Sequence, residues 1–281
     1  MNVHVKQYDR KIKVYSNGVV KETKYRRSIV SDKQENSNDL IISKGRVSSS
    51  SEKEFKEVRA DSLSRTRNLL IDYASENESD FNSFITLTFA ENVTDINVAN
   101  KKFHSWRTKI TKVLKDKGIE FKYLGVPEFQ RRGAVHYHLL TNLECDSEFL
   151  QLQENQERMY DVKYWKYGFS SAYDIMRNTD ENFNIALYIC KYLYKDIDNR
   201  LFGRNKCLKS NNLKKPLISK LEASSDTYKI AKSYIASNGY NLCDYYRFDA
   251  NEDNSYLIPY ELYTYKSQCD NIILKDLLQE K

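Results

Sequence analysis

The sequence predicts an α+β fold, a central antiparallel sheet with flanking helices. Three observations lead there. Phe84-Ile-Thr-Leu-Thr-Phe89 alternates apolar and polar residues, the period of a strand in the middle of a sheet. Val98, Phe103, Trp106, Ile110, Val113 and Leu114 then recur at helical spacing. Two further strands follow, Lys122–Glu128 and Ala134–Thr141, with only a short turn between them. Strand, helix, strand, strand in that order calls for antiparallel pairing in one sheet with a helix against it.

The chain begins with a basic N-terminal segment and a Ser-rich link, residues 1–51. Val3-His-Val-Lys and Lys13-Val-Tyr alternate and can form a hairpin around Asn17-Gly18, with His4 at the surface. Residues 31–51 are polar and Ser-rich, a composition that suits a flexible link. Ser51 and Glu54 have the capping-box spacing. They open a helix to near residue 74 that buries Phe55, Val58, Leu63, Leu69, Leu70 and Tyr73. Thr94 or Asp95 caps the helix of Val98–Leu114, and Gly118 ends it. His104 inside it reads as a surface or packed residue. Residues 146–160 are polar and expected to be helical, and Ser171–Ile175 is a short strand. Asn182–Asp196 has no Gly or Pro and reads as a helix. Residues 52–216 thus make one domain, and 217–281 a C-terminal extension with a helix over Asp226–Ser237, Tyr-rich segments and a short terminal helix. There is no internal repeat.

The chain has 281 residues, 40% hydrophobic and 30% charged, with a net charge of only +6. Its distribution is more telling. Residues 1–30 hold eight Lys or Arg against Asp9 and Glu22, and residues 200–220 hold seven and no acid. Patches of this kind suit a phosphate backbone, although a solvated face is the commoner use of a charge run. The five cysteines form no CxxC pair and no metal-finger spacing. With no apolar leader and an odd cysteine count, a cytoplasmic protein with reduced thiols is expected. No run is long enough to span a membrane. The 22 tyrosines often stand among Lys and Arg, where they can stack on bases or fill a core and its rim.

Two constellations carry chemistry. In Glu128-Phe-Gln-Arg-Arg-Gly-Ala-Val-His136-Tyr-His138, the two histidines are two apart on a strand and so share a face. Arg131-Arg132-Gly133 fits a three-residue hairpin loop with glycine at the positive-φ position. In that register 130 pairs with 134, which puts Glu128 opposite His136. A carboxylate and two imidazoles on one face suit a divalent cation with room left for substrate. In the second constellation, Tyr188 and Tyr192 stack on one helix face, with Lys191 and Lys195 beside them. A phenol with its pKa near 10 is a poor nucleophile at neutral pH. A neighbouring ammonium and a metal-polarised phosphate would make its attack on a phosphodiester feasible. Taken alone, the same residues also fit an amphipathic helix with snorkelling lysines.

Together these motifs resemble the rolling-circle replication initiators of the HUH endonuclease superfamily, in the branch of small plasmids and single-stranded DNA phages. Phe84–Phe89 is similar to the first motif, a structural strand. Glu-x-Gln-x-Arg-Gly-x-x-His136-x-His138 matches the metal-binding motif, with Glu128 where a third ligand often stands. Tyr188-Ile-Cys-Lys191-Tyr192 matches the motif that carries the nucleophile, and Ser210-Asn-Asn-Leu-Lys-Lys-Pro216 also looks like that branch. The resemblance covers residues 80–216. It implies a Rep-type, ferredoxin/RRM-like sheet with Mn²⁺ or Mg²⁺ held by His136, His138 and Glu128. It further implies attack by Tyr188, a second transfer by Tyr192, and Lys191 orienting or activating the phenol. The product would be a covalent 5′-phosphotyrosine with a free 3′-OH for priming. Arg131, Arg132, Lys195, Arg204, Lys206, Lys209, Lys214 and Lys215 are the cations expected against DNA.

No Gly-x-x-x-x-Gly-Lys-Ser/Thr loop exists in the chain, so no nucleotide cofactor is expected. The implied partners are single-stranded origin DNA and a host helicase and DNA polymerase, in the cytoplasm of a bacterial host cell. A relaxase or transposase would share the chemistry. A non-catalytic DNA-binding regulator would need only the sheet and basic patches, and a water-using metal nuclease would leave Tyr188 without a task.

Overall fold

The computed structural model describes residues 6–31, 52–154, 158–175, 184–194, 206–249, 258–267 and 271–279. The chain forms two compact units, one of Met1–Ser48 with Pro216–Lys281 and one of Ser49–Lys215. His4, the link of residues 32–51 and its Ser51 cap lie outside the described residues, and of Phe55 and Val58 only the backbone is described.

The N-terminal hairpin forms as predicted. Strands β1 (Lys6–Val14) and β2 (Val19–Ser31) pair antiparallel across a turn in which Gly18 takes φ +81°. In the larger unit the chain enters helix α1 (Glu52–Glu76), then β3 (Ser83–Thr88) and α2 (Ile96–Asp116). Asp95 is the cap of α2, its carboxylate accepting from the Asn97 amide at 2.8 Å, and Gly118 follows the helix at φ +74°. The hairpin β4 (Tyr123–Phe129) and β5 (Val135–Thr141) comes next, followed by β6 (Leu150–Leu152), β7 (Tyr160–Val162) and β8 (Ser170–Asp174). Helix α3 (Ile185–Tyr194) and the two-residue β9 (Leu208–Lys209) complete this unit.

Its sheet has the order β6-β7-β8-β3-β5-β4-β9, so β3 and β5 are interior, and every recorded pairing is antiparallel. One face packs on α2 through Phe103, Trp106 and Ile110 against Ile85, Leu87, Tyr137 and Leu139. The other face packs Phe84, Leu124, Val126 and Leu140 against α1 and α3, through Leu70, Tyr73, Ile185, Ile189 and Leu193. Two positions assigned to buried helix faces are instead exposed, Leu69 at 40% and Val98 at 42%. Residues 146–160 are not helical where described. They supply the edge strands β6 and β7, joined through Gln151 opposite Asp161.

The other unit is completed by β10 (Leu217–Leu221), α4 (Asp226–Ser237), β11 (Asn241–Phe248), β12 (Tyr260–Lys266) and α5 (Ile272–Gln279). Its antiparallel sheet runs β10-β1-β2-β12-β11, so the N-terminal hairpin lies inside strands from the far end of the chain. Ile12, Val14 and Val20 meet Ala231, Ile235, Leu274 and Leu278 of α4 and α5 on one face. The buried Glu22 carboxylate accepts there from Tyr228 Oη at 2.6 Å and Lys232 Nζ at 2.8 Å. Among the described residues no helix is long and apolar enough to cross a membrane.

Candidate active site

The β4–β5 hairpin closes in the register read from the sequence. The Gln130 amide donates to Ala134 O at 2.8 Å and the Gly133 amide to Gln130 O at 2.7 Å, with Gly133 at φ +88°. Residues 131–133 are therefore the loop, and Glu128 stands opposite His136. Directly paired residues of an antiparallel ladder share a face. His138 pairs with Val126 on one side and Thr86 on the other, and His136 with Glu128 and Thr88. Glu128, His136, His138 and Thr86 thus project from the face that also receives α3.

All three candidate ligands are buried. His138 Nε2 lies 2.5 Å from Glu128 Oε2, and its Nδ1 lies 3.2 Å from Thr86 Oγ1. The His136 and His138 rings are 6.2 Å apart, centroid to centroid. Among the described residues no three His, Cys, Asp or Glu side chains are gathered as a ready metal cluster. The Glu128 carboxylate is engaged with His138 instead.

Helix α3 brings the tyrosines to this face. Asn184 holds its first turn, Oδ1 accepting from the Leu187 amide at 3.0 Å. Ile185, Ile189 and Leu193 bury one stripe, and Tyr188 and Tyr192 sit half-buried at its edge. Phe84 joins the two constellations: its ring centroid is 4.8 Å from Tyr188, 5.4 Å from Tyr192 and 5.9 Å from His138. Tyr192 stacks directly on His138, at 3.8 Å and 24° between planes. Its hydroxyl donates to Tyr188 Oη at 3.2 Å. Burial pushes the Tyr192 phenol above its ordinary pKa, and the hydrogen bond to Tyr188 and the nearby Glu128 carboxylate push the same way. The arrangement leaves the Tyr188 oxygen as acceptor and Tyr192 as the proton-bearing partner. Lys191 is exposed on α3.

The predicted cations divide. Arg131 is exposed on the hairpin loop, and Lys214 and Lys215 are exposed after β9. Arg132 is exposed too, but its guanidinium donates to Phe89 O at 2.6 Å and Gln130 Oε1 at 2.9 Å, so it also ties the loop to the end of β3. Lys209 holds its ammonium 4.7 Å from the Tyr73 ring centroid. Lys206 is only 9% exposed and does not belong to a solvent-facing patch. Lys195 and Arg204 lie outside the described residues. Thr86 is the site residue that sequence reasoning missed. Alternation puts it on one face with Phe84, but its place beside His138 depends on β3 pairing with β5, which no local signal announces.

Comparison with known proteins adds to this geometry. The family model for the replication-associated protein ORF2 matches residues 82–197, the stretch from β3 through α3. The phasyl DNA replicon protein arp of Escherichia coli is 30% identical over 133 residues, which is 42% of this chain and 44% of that protein. The matched stretch is thus less than half the length of the relative. No solved structure matches. These two likenesses support a replication-initiator family.

Proposed function

We propose that the chain is a site-specific single-stranded DNA nickase and strand transferase that initiates rolling-circle replication. The observation that carries this reading is the stacking of Tyr192 on His138 at 3.8 Å, with Tyr188 hydrogen-bonded to Tyr192. A tyrosine pair against a His-His-Glu face suits phosphodiester transfer and serves no purpose in a protein that only binds DNA.

Tyr188 is the first nucleophile. Its Oη forms a bond to the scissile phosphorus and gives up its proton, while the bond from phosphorus to the 3′ oxygen breaks. The departing 3′ oxygen keeps the electron pair and takes a proton, leaving a 3′-OH to prime synthesis. The 5′-phosphotyrosine conserves the ester, so Tyr192 or a returning 3′-OH can reverse the step and close the strand. Lys191, exposed on the same helix, is free to swing toward the phosphate. The donor set fits a divalent cation in kind, because two imidazoles and a carboxylate suit Mn²⁺ or Mg²⁺. When bound by His136, His138 and Glu128, such an ion supplies Lewis-acid polarisation of the phosphate. Binding it requires Glu128 to give up its hydrogen bond to His138. A host helicase and DNA polymerase in the bacterial cytoplasm would complete replication, since the chain has no phosphate-binding loop of its own.

The test needs no knowledge of the origin. The protein is incubated with a degenerate single-stranded DNA pool and Mn²⁺, with a chelator control, and denaturant-resistant adducts are mapped by mass spectrometry. An adduct on Tyr188 that chelator removes is expected. Cleavage without an adduct would replace the proposal with hydrolysis by water. A pool enriched by binding yet never cut would leave a DNA-binding regulator.

A further inference from the structure

The sheet of the unit built from both chain ends has two unlike faces. The face carrying Ile12, Val14 and Val20 is covered by α4 and α5. Among the described residues of this unit, no helix lies over the other. Register places a row of aromatic rings across it. Phe248 is opposite Tyr260 and Tyr260 opposite Tyr25, with ring centroids 5.5 and 6.2 Å apart. Tyr246 joins the row 6.2 Å from Tyr260, and Tyr8 extends it 6.0 Å from Tyr25. The outer end is open, with Tyr246 50% exposed and Phe248 and Tyr260 partly so. The inner end is overlaid by cations: Lys11 Nζ lies 5.5 Å from the Tyr25 centroid and Lys220 Nζ 5.1 Å from that of Tyr8.

The charge of this face is one-sided. Alternation and pairing put Lys11, Lys13, Lys21, Lys220 and Lys266 on it, with Asp244 as the acid among the described strand residues. Lysines beside partly exposed rings offer two things at once: counter-charge for phosphates and flat apolar surfaces for unpaired bases. A duplex hides its base faces, and an acidic peptide or lipid headgroup makes no use of a row of rings. We propose that this sheet face is a binding platform for single-stranded DNA, on which Tyr246, Phe248 and Tyr260 stack bases while the lysines track the backbone. The inference comes from this unit alone and does not depend on the nicking chemistry.

The test uses the full chain in chelator, with binding of a labelled oligothymidylate followed by fluorescence anisotropy. Tyr246→Leu with Tyr260→Leu should weaken binding on the order of tenfold or more, since each missing base stack counts separately. Tyr246→Phe with Tyr260→Phe should keep the affinity, because the rings remain. If the leucine variant does not fold, Lys11→Gln with Lys220→Gln reads the same surface. Its log–log salt slope should fall by about 0.7 for each phosphate that is no longer neutralised. Unchanged affinity and slope in folded variants would overturn the proposal. So would an equal loss on duplex DNA of the same length, or anionic vesicles that bind this face in place of DNA. All of these variants should still form the metal-dependent adduct on saturating substrate. Loss of that adduct in wild-type protein would count against the nickase alone.

Discussion

His138 is engaged at both ring nitrogens, by Glu128 at Nε2 and Thr86 at Nδ1, while Tyr192 covers its face. Each contact makes a different prediction. His136→Ala or His138→Ala is expected to abolish cleavage while leaving DNA binding largely intact. Full-rate cleavage in either variant would remove the metal assignment. Thr86→Val keeps the shape of the side chain and deletes the hydroxyl that orients His138. Outer partners of metal-bound histidines typically matter by about 10–100-fold in metal affinity or activity. Thr86→Val should therefore raise the Mn²⁺ concentration needed for half-maximal adduct by that order, with little change at saturating metal. The tyrosines separate by the same logic. Tyr192→Phe retains the ring on His138 and loses only the hydroxyl, so first cleavage should persist with the adduct on Tyr188, and the second transfer should fail. Tyr188→Phe should abolish the adduct. The opposite pattern would exchange their roles.

At the scale of elements, β4 is held so closely to β5 that one position admits no side chain. A Cβ on Gly125 would collide with Leu139 Cδ2 and stand 2.5 Å from His138 O. The leucine methyl can turn aside, but the carbonyl belongs to the strand that carries both histidines. Gly125→Ala is expected to cost about 1–3 kcal/mol, as overpacking does. Chemical denaturation would measure it, and a wild-type midpoint would show that the strands can part without penalty. The same hairpin shows what was legible in the sequence. A three-residue loop with Gly133 at positive φ fixes the register, so the opposition of Glu128 and His136 follows from local chemistry alone. The helix expected over residues 146–160 shows the limit. Three-residue edge strands such as β6 and β7 are too short to display a period, and a polar composition is compatible with either structure. What makes them strands is pairing with each other and with β8, Tyr160 standing opposite Ala172. Val98 and Leu69 belong to the same lesson, since helical spacing marks a stripe but does not say how wide the partner surface is.

For the whole molecule, the sequence kept residues 1–51 and 217–281 apart because nothing local joins them. Alternation announces a strand and not its partner, and Ile12 finds Ser219 across most of the chain. That pairing changes how the basic N-terminus must be tested. Composition invites a truncation to remove its cations and watch DNA affinity fall. Yet β1 and β2 are interior strands, lying between β10 and β12. Deleting residues 1–31 would take Ile12, Val14 and Val20 from beneath α4 and α5 and would leave Lys232 without its buried carboxylate at Glu22. It would also bare one edge each of β10 and β12, and unpaired strand edges promote association. The truncated chain is therefore expected to lose the cooperative melting of this unit and to self-associate, as read by thermal circular dichroism and light scattering. Any loss of DNA affinity in it would report unfolding before it reported charge. A truncated chain that melted like the full one and stayed monomeric would show that β10, β11 and β12 hold together without the hairpin. Charge at the N-terminus is better probed by Lys→Gln changes on the intact sheet, where the salt slope can fall while the melting transition stays put.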